Sequence, residues 1–213
     1  MNKDLTELVF ILDQSGSMSG LESDTIGGFN SLIDKQREDD GDVVVTTVLF
    51  NNEMNIIHDR VDISEVKKMT KKDYCPKNCT ALLDAVGNTI QRISKKHKEL
   101  KEEFLPSKTM VIITTDGLEN ASTEYTYPKV KKLIDKQTEL GWEFIFLGAN
   151  IDAVKEALRF GICEERAVNY KCDEEGVNLN YEALDDAIKM VKSEKCLNSN
   201  WRKKIDADYK KRK

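Results

Sequence analysis

The chain has 213 residues, 39% hydrophobic and 33% charged, with 33 basic and 38 acidic side chains and a formal charge of −5. That length suits one domain of ordinary size with a single full core. The acidic balance argues against a general nucleic-acid binder, and no stretch approaches the roughly 18 uninterrupted apolar residues of a membrane helix.

Leu8-Val9-Phe10-Ile11-Leu12 is wholly apolar and ends abruptly at Asp13-Gln14-Ser15-Gly16-Ser17. Such a run reads as a central strand buried on both faces. Ser23 or Asp24 is placed to cap a helix over 25–37, with Ile26, Phe29, Leu32 and Ile33 facing inward. After the turn at Asp39-Asp40-Gly41-Asp42, the β-branched run 43–50 predicts a strand, and 54–61 an antiparallel edge strand. Residues 62–79 are polar and lysine-rich, and read as a long loop. Thr80 precedes a helix over 81–98, where Leu82, Leu83, Val86, Ile90 and Ile93 recur at helical spacing. Thr109–Ile113 is a second buried strand, ending in Thr114-Thr115-Asp116-Gly117. A helix over 127–139 opens with Pro128 in its first turn and stops at Gly141. The spacing then predicts a strand over 142–147, a helix over 151–159, a short strand at 167–169, a helix over 180–194 and a basic tail. Strands alternating with helices give a doubly wound α/β fold, with a mostly parallel sheet, one antiparallel edge strand and helices on both faces. Ligands of such sheets bind beyond the carboxyl ends of the strands, where the strand order reverses. The loops after 8–12 and 109–115 are the places to look, and both begin with an aspartate.

Asp13-x-Ser15-x-Ser17 offers one carboxylate and two hydroxyls, spaced two apart, in a loop leaving a buried strand. Hard oxygen donors of this kind suit magnesium, manganese or calcium. Thr80 and Asp116 stand at the ends of other crossover units that can lie beside this loop. Each has a plainer reading: a helix-capping turn at 13–17, a helix cap at Thr80, a turn at Asp116-Gly117.

Three segments in order resemble the von Willebrand factor type A domains and their metal-ion-dependent adhesion site: Phe10–Met18, Thr80–Ala85 and Ile113–Asn120. The resemblance covers about residues 5–170, and is greatest to stand-alone intracellular bacterial members. It implies that Asp13, Ser15, Ser17, Thr80 and Asp116 hold a divalent cation, Mg2+ or else Mn2+ or Ca2+. It implies a Rossmann-like fold over residues 1–170, with 171–213 forming a C-terminal helix and basic tail packed on the domain or trailing from it. It also implies a binding module, not an enzyme, that engages a glutamate or aspartate of a protein partner. Members of this sort act alongside ATPases or in stress and assembly complexes. One departure is that Cys79 stands where many members carry glycine.

Other features carry plainer readings. Five cysteines at irregular spacing read as free thiols in a reducing cytosol, and Met1–Glu7 holds no apolar run of signal-peptide length, so the expected location is cytoplasmic. Cys75 and Cys79 lack two further ligands for zinc. His58 and His97 read as surface residues with no nucleophile beside them. No Walker lysine follows Gly20. The tail of residues 202–213 reads as a solvated, partly disordered terminus. The rival function is a magnesium-dependent phosphohydrolase, but the aspartyl-nucleophile arrangement wants a second aspartate where Ser15 stands.

Overall fold

The computed structural model describes residues 2–193 and 197–212. Six strands form one sheet: β1 (Asn2–Asp13), β2 (Val43–Phe50), β3 (Met54–Asp62), β4 (Pro106–Thr115), β5 (Trp142–Ala149) and β6 (Ala167–Tyr170). Their order is β3-β2-β1-β4-β5-β6, and only β3 runs antiparallel to its neighbour. The helices are α1 (Glu22–Glu38), α2 (Leu82–Glu99), α3 (Tyr127–Glu139), α4 (Ala153–Phe160), α5 (Glu174–Lys192) and α6 (Lys203–Lys211). Among the described residues no helix is long and apolar enough to cross a membrane.

The period of two along β1 divides the core. Leu8, Phe10 and Leu12 enter the cluster formed with α1 and α5. Val9 and Ile11 enter the opposite cluster, formed with α2, α3 and α4. With both faces covered, β1 is apolar throughout its middle, and the first residue free to be polar is Asp13. The chain passes from β1 to β2 on one side and returns to β4 on the other, so the strand order reverses between β1 and β4. The pairing Ile11 with Ile113 and Leu12 with Thr114 brings Asp13 level with Thr115.

Several local expectations change. Helix α1 starts at Glu22 behind Leu21, and Ser23 and Asp24 lie in its first turn. The carboxylate of Glu22 instead accepts from the Gly20 N–H at 2.9 Å. Helix α5 begins six residues before the expected start, because the Asp173 carboxylate accepts from Gly176 N at 2.9 Å and caps it. The expected end at residue 194 lies outside the described residues, as do Cys196 and Lys213. The tail is folded: Trp201 and Ile205 are buried, and α6 packs on β6 and α5. Its cations find internal partners, Arg202 with Asp206 at 2.8 Å and Arg212 with Asp173 at 2.5 Å. Arg202 is thus paired within the tail, while Arg212 ties the tail to the start of α5.

Neither histidine is a free surface residue. His97 on α2 donates to the buried Glu7 of β1 (Nε2 to Oε2, 2.6 Å) and packs edge-on against Trp142. Arg60 reaches the same Glu7 oxygen. It gets there through an irregularity in β3, where Arg60 takes φ +54° and its N–H donates to Thr46 Oγ1. His58 is 7% exposed and stacked on Phe29. Its Nε2–H donates to the Lys67 carbonyl at 2.9 Å, leaving Nδ1 to accept from Thr47 Oγ1 at 3.0 Å.

Burial pushes the His58 imidazole below its ordinary value of 6.5, against smaller opposing effects of the Lys67 carbonyl and the Asp73 charge. The unfolded chain therefore takes up this proton at a higher pH than the fold does. The stability this group contributes is complete above about pH 6.5 and is lost as the pH falls toward the folded value. The melting temperature should drop as pH falls below 6.5, and drop less steeply in His58→Gln, as thermal unfolding at stepped pH will measure.

Candidate metal centre

Asp13 closes β1 with its side chain 1% exposed. Oδ1 accepts from the Ser15 N–H at 2.7 Å, and Oδ2 accepts from the Thr115 hydroxyl at 2.6 Å. Its carbonyl accepts from the Tyr74 hydroxyl at 2.6 Å. The loop then turns through Gly16–Met18, setting Ser15 Oγ 3.1 Å from Ser17 Oγ. Ser17 Oγ donates to Asp116 Oδ1 at 2.5 Å. Thr80 Oγ1 and Ser17 Oγ lie 3.5 and 3.8 Å from the point where a side chain on Gly117 would begin. The five oxygen-bearing residues expected from the sequence therefore converge on one place at the switch between β1 and β4.

Thr80 is not the cap of α2. The helix begins at Leu82, with Ala81 at the cap position, and its free N–H groups are met from the β4–α3 loop. Leu83 N donates to Glu119 Oε2 at 2.8 Å, and Asp84 N donates to Ser122 Oγ at 3.0 Å. In return the Asp84 carboxylate accepts from the N–H groups of Thr123, Glu124 and Tyr125. Asn120 grips Thr80 by the backbone: its Oδ1 accepts from Thr80 N at 2.8 Å, and its N–H donates to Thr80 O at 3.0 Å. The threonine hydroxyl is thereby spared capping and left for the site. On the other side, Gly16 N donates to Asn78 O at 3.0 Å, and Lys77 N donates to Gln14 O at 2.9 Å. The left-handed residue of this loop is Asn78, at φ +64°. Asparagine tolerates that region, so Cys79 needs no glycine-like backbone.

Burial raises the Asp13 carboxyl above the usual carboxylate range, opposed by the bonds from Thr115 and Ser15 and reinforced by the Asp116 charge. Burial likewise raises Asp116, opposed by Ser17 and Cys172. Two desolvated like charges side by side favour a bound cation. The Cys172 thiol is itself pushed up to about 11, by burial first and by Asp116 second. The thiol donates to Asp116 Oδ2 at 3.8 Å. No group of three or more His, Cys, Asp or Glu able to hold a metal occurs among the described residues. Cys75, Cys79 and Cys163 are exposed and unbridged. The donor set of two carboxylates and three hydroxyls fits a hard divalent cation.

Sequence reasoning assigned no role to Tyr74, Thr115, Asp84, Glu119 or Asn120. Thr115 was detectable as a second polar residue ending an apolar strand. Glu119 and Asn120 fall inside the third motif. Tyr74 gave no signal, because it reaches Asp13 from within a long loop.

These features define a doubly wound α/β domain with an oxygen-lined site at its strand switch. No protein-family model matches the sequence, and no curated protein matches it. Solved structures do. Proximal thread matrix protein 1 from the mussel byssus superposes with a TM-score of 0.59 at 16% identity, over 90% of this chain and 47% of that one. The chain thus spans about half the length of that protein, for which a zinc-occupied form of the adhesion-site motif is also solved. The vWF domain of the pili tip protein Mfa5 from Porphyromonas gingivalis gives 0.61 at 10% identity, over 87% of this chain and 95% of that one. The manganese-loaded Plasmodium vivax TRAP protein gives 0.55 at 16%, over 84% and 73%. The chain has the von Willebrand factor type A fold.

Asn120→Ala removes the acceptor for a buried backbone N–H. It should cost about 1–3 kcal/mol in denaturant unfolding, while Leu118→Ala, two residues away and 56% exposed, should change stability by less than about 0.5 kcal/mol.

Proposed function

We propose that this chain is a binding module in which Asp13, Ser15, Ser17, Thr80 and Asp116 hold a magnesium ion used to engage a glutamate or aspartate of a protein partner. The observation that carries the reading is the meeting of these five side chains at the β1–β4 switch, with Ser17 bridging from Ser15 to Asp116. Manganese or calcium would meet the same oxygens. The zinc-occupied and manganese-loaded neighbours give support by analogy of fold.

When bound, a divalent cation would supply a concentrated positive charge with a position open to exchange. The chain's residues set how much of that charge remains. Ser15, Ser17 and Thr80 contribute oxygen without charge, so only Asp13 and Asp116 oppose the ion. Asp13 is held by Ser15 N–H and Thr115, which fixes its carboxylate in orientation. Thr80 is held by its backbone, which leaves its hydroxyl free. A partner carboxylate completes such a shell, and contacts around it supply specificity, since any carboxylate satisfies the ion alone. With the chain at −5, attraction of an acidic partner has to be local and short-ranged.

The reading includes no catalytic step. Asp13 has both oxygens occupied and its side chain buried, which is poor placement for an attacking nucleophile, and position 15 supplies a hydroxyl in place of a second carboxylate. Location in the cytoplasm is part of the proposal and rests on the exposed, unbridged thiols of Cys75, Cys79 and Cys163. An ATPase or a stress or assembly complex as partner is carried by the family resemblance of the three motifs.

Affinity capture from native lysate tests this. A partner should be retained in magnesium, and lost both with chelator and with Thr80→Ala, a variant that should melt within a few degrees of the parent. Retention that survives both changes contradicts the proposal.

A further inference from the structure

A narrow cavity of about 10 Å³ is lined by Leu12 and Asp13 at the end of β1, Thr25 of α1, Tyr170 at the end of β6, and Asn180 and Tyr181 of α5. The helices approach closely around it: a Cβ on Gly28 of α1 would fall 2.1 Å from a ring carbon of Tyr181. The two helices therefore have no room to close further on each other here.

Three lining residues bury polar atoms with no hydrogen-bond partner, the Tyr170 hydroxyl, Asn180 Oδ1 and the Thr25 hydroxyl. Tyr170 is 1% exposed and Asn180 4%. Burial holds the Tyr170 phenol well above its ordinary value, so it is a neutral O–H donor. An unmet buried donor or acceptor is costly, and here both kinds border the same small space. A water molecule needs about 10–15 Å³ and two to four polar partners. The volume admits one water and no organic ligand.

We propose that this cavity binds a single water molecule, which accepts from the Tyr170 hydroxyl and donates to Asn180 Oδ1, with the Thr25 hydroxyl as its third partner. The water joins the end of β6 to α5 and α1. Thr25 lies beside the Tyr74 hydroxyl, and Tyr74 donates to the Asp13 carbonyl at 2.6 Å. The site thus extends a polar path from α5 to the residue that opens the metal loop, and it does so whatever ion that loop holds.

A high-resolution crystal structure and a double-mutant cycle test this together. The structure should show one ordered water within hydrogen-bond distance of Tyr170 and Asn180. Tyr170→Phe and Asn180→Leu should each lower the melting temperature by about 2–4 °C. The double variant should lose no more than the worse single one, because the second change removes the atom orphaned by the first. A dry cavity, a direct Tyr170–Asn180 bond, or additive losses would overturn the proposal.

Discussion

The site depends on one constraint: a carboxylate has to stand at the end of a strand that is buried on both faces. Strand β1 lies between β2 and β4 in the middle of the sheet, and its apolar run from Leu8 to Leu12 leaves no room for charge before Asp13. There the carboxylate is desolvated, yet both oxygens accept hydrogen bonds, from Ser15 N–H and from Thr115. Breaking either bond would leave a buried charge short of partners, which is costly. The loop after Asp13 is therefore bent back on its own carboxylate. That bend is what turns Ser15 and Ser17 toward Asp116.

The remaining loops are fixed by an exchange of backbone donors. The first turn of α2 is capped by Glu119 and Ser122, and α2 returns the favour through Asp84, which accepts from three consecutive N–H groups of the β4–α3 loop. A helix start has free donors that need acceptors. Here they are met from a different crossover unit, which locks Thr80 and Asp116 in relation to each other. Stability and site geometry are consequently the same interactions, and a substitution that loosens the loop should also loosen the donor set.

Much of this was legible in the sequence, for physical reasons that differ by element. Doubly buried strands are continuous apolar runs, so 8–12 and 109–115 stood out, and the topology rules placed their ends side by side. Asp13, Ser15, Ser17, Thr80 and Asp116 followed from that placement and from the three motifs. What failed involved contacts distant in sequence. The pairing that draws His97 partly inward is with Glu7, 90 residues away. The reach of Arg60 depends on a strand irregularity that periodicity does not encode. The plainer reading of Thr80 as a helix cap fails because the groups that meet the first N–H donors of α2, Glu119 and Ser122, lie about forty residues later. The start of α5 was hidden in an acidic stretch whose Asp173 is a cap. The tail looked disordered because its charge is conspicuous and its two buried anchors, Trp201 and Ile205, are few.

The central claim is that five oxygen-bearing side chains at the β1–β4 switch form one cation site. Titration calorimetry with manganese on the intact chain and on Asp13→Ala tests it most directly. The account predicts a single site in the parent chain that is absent from the variant, with the variant still folded by circular dichroism. Equal binding by the two proteins would contradict it.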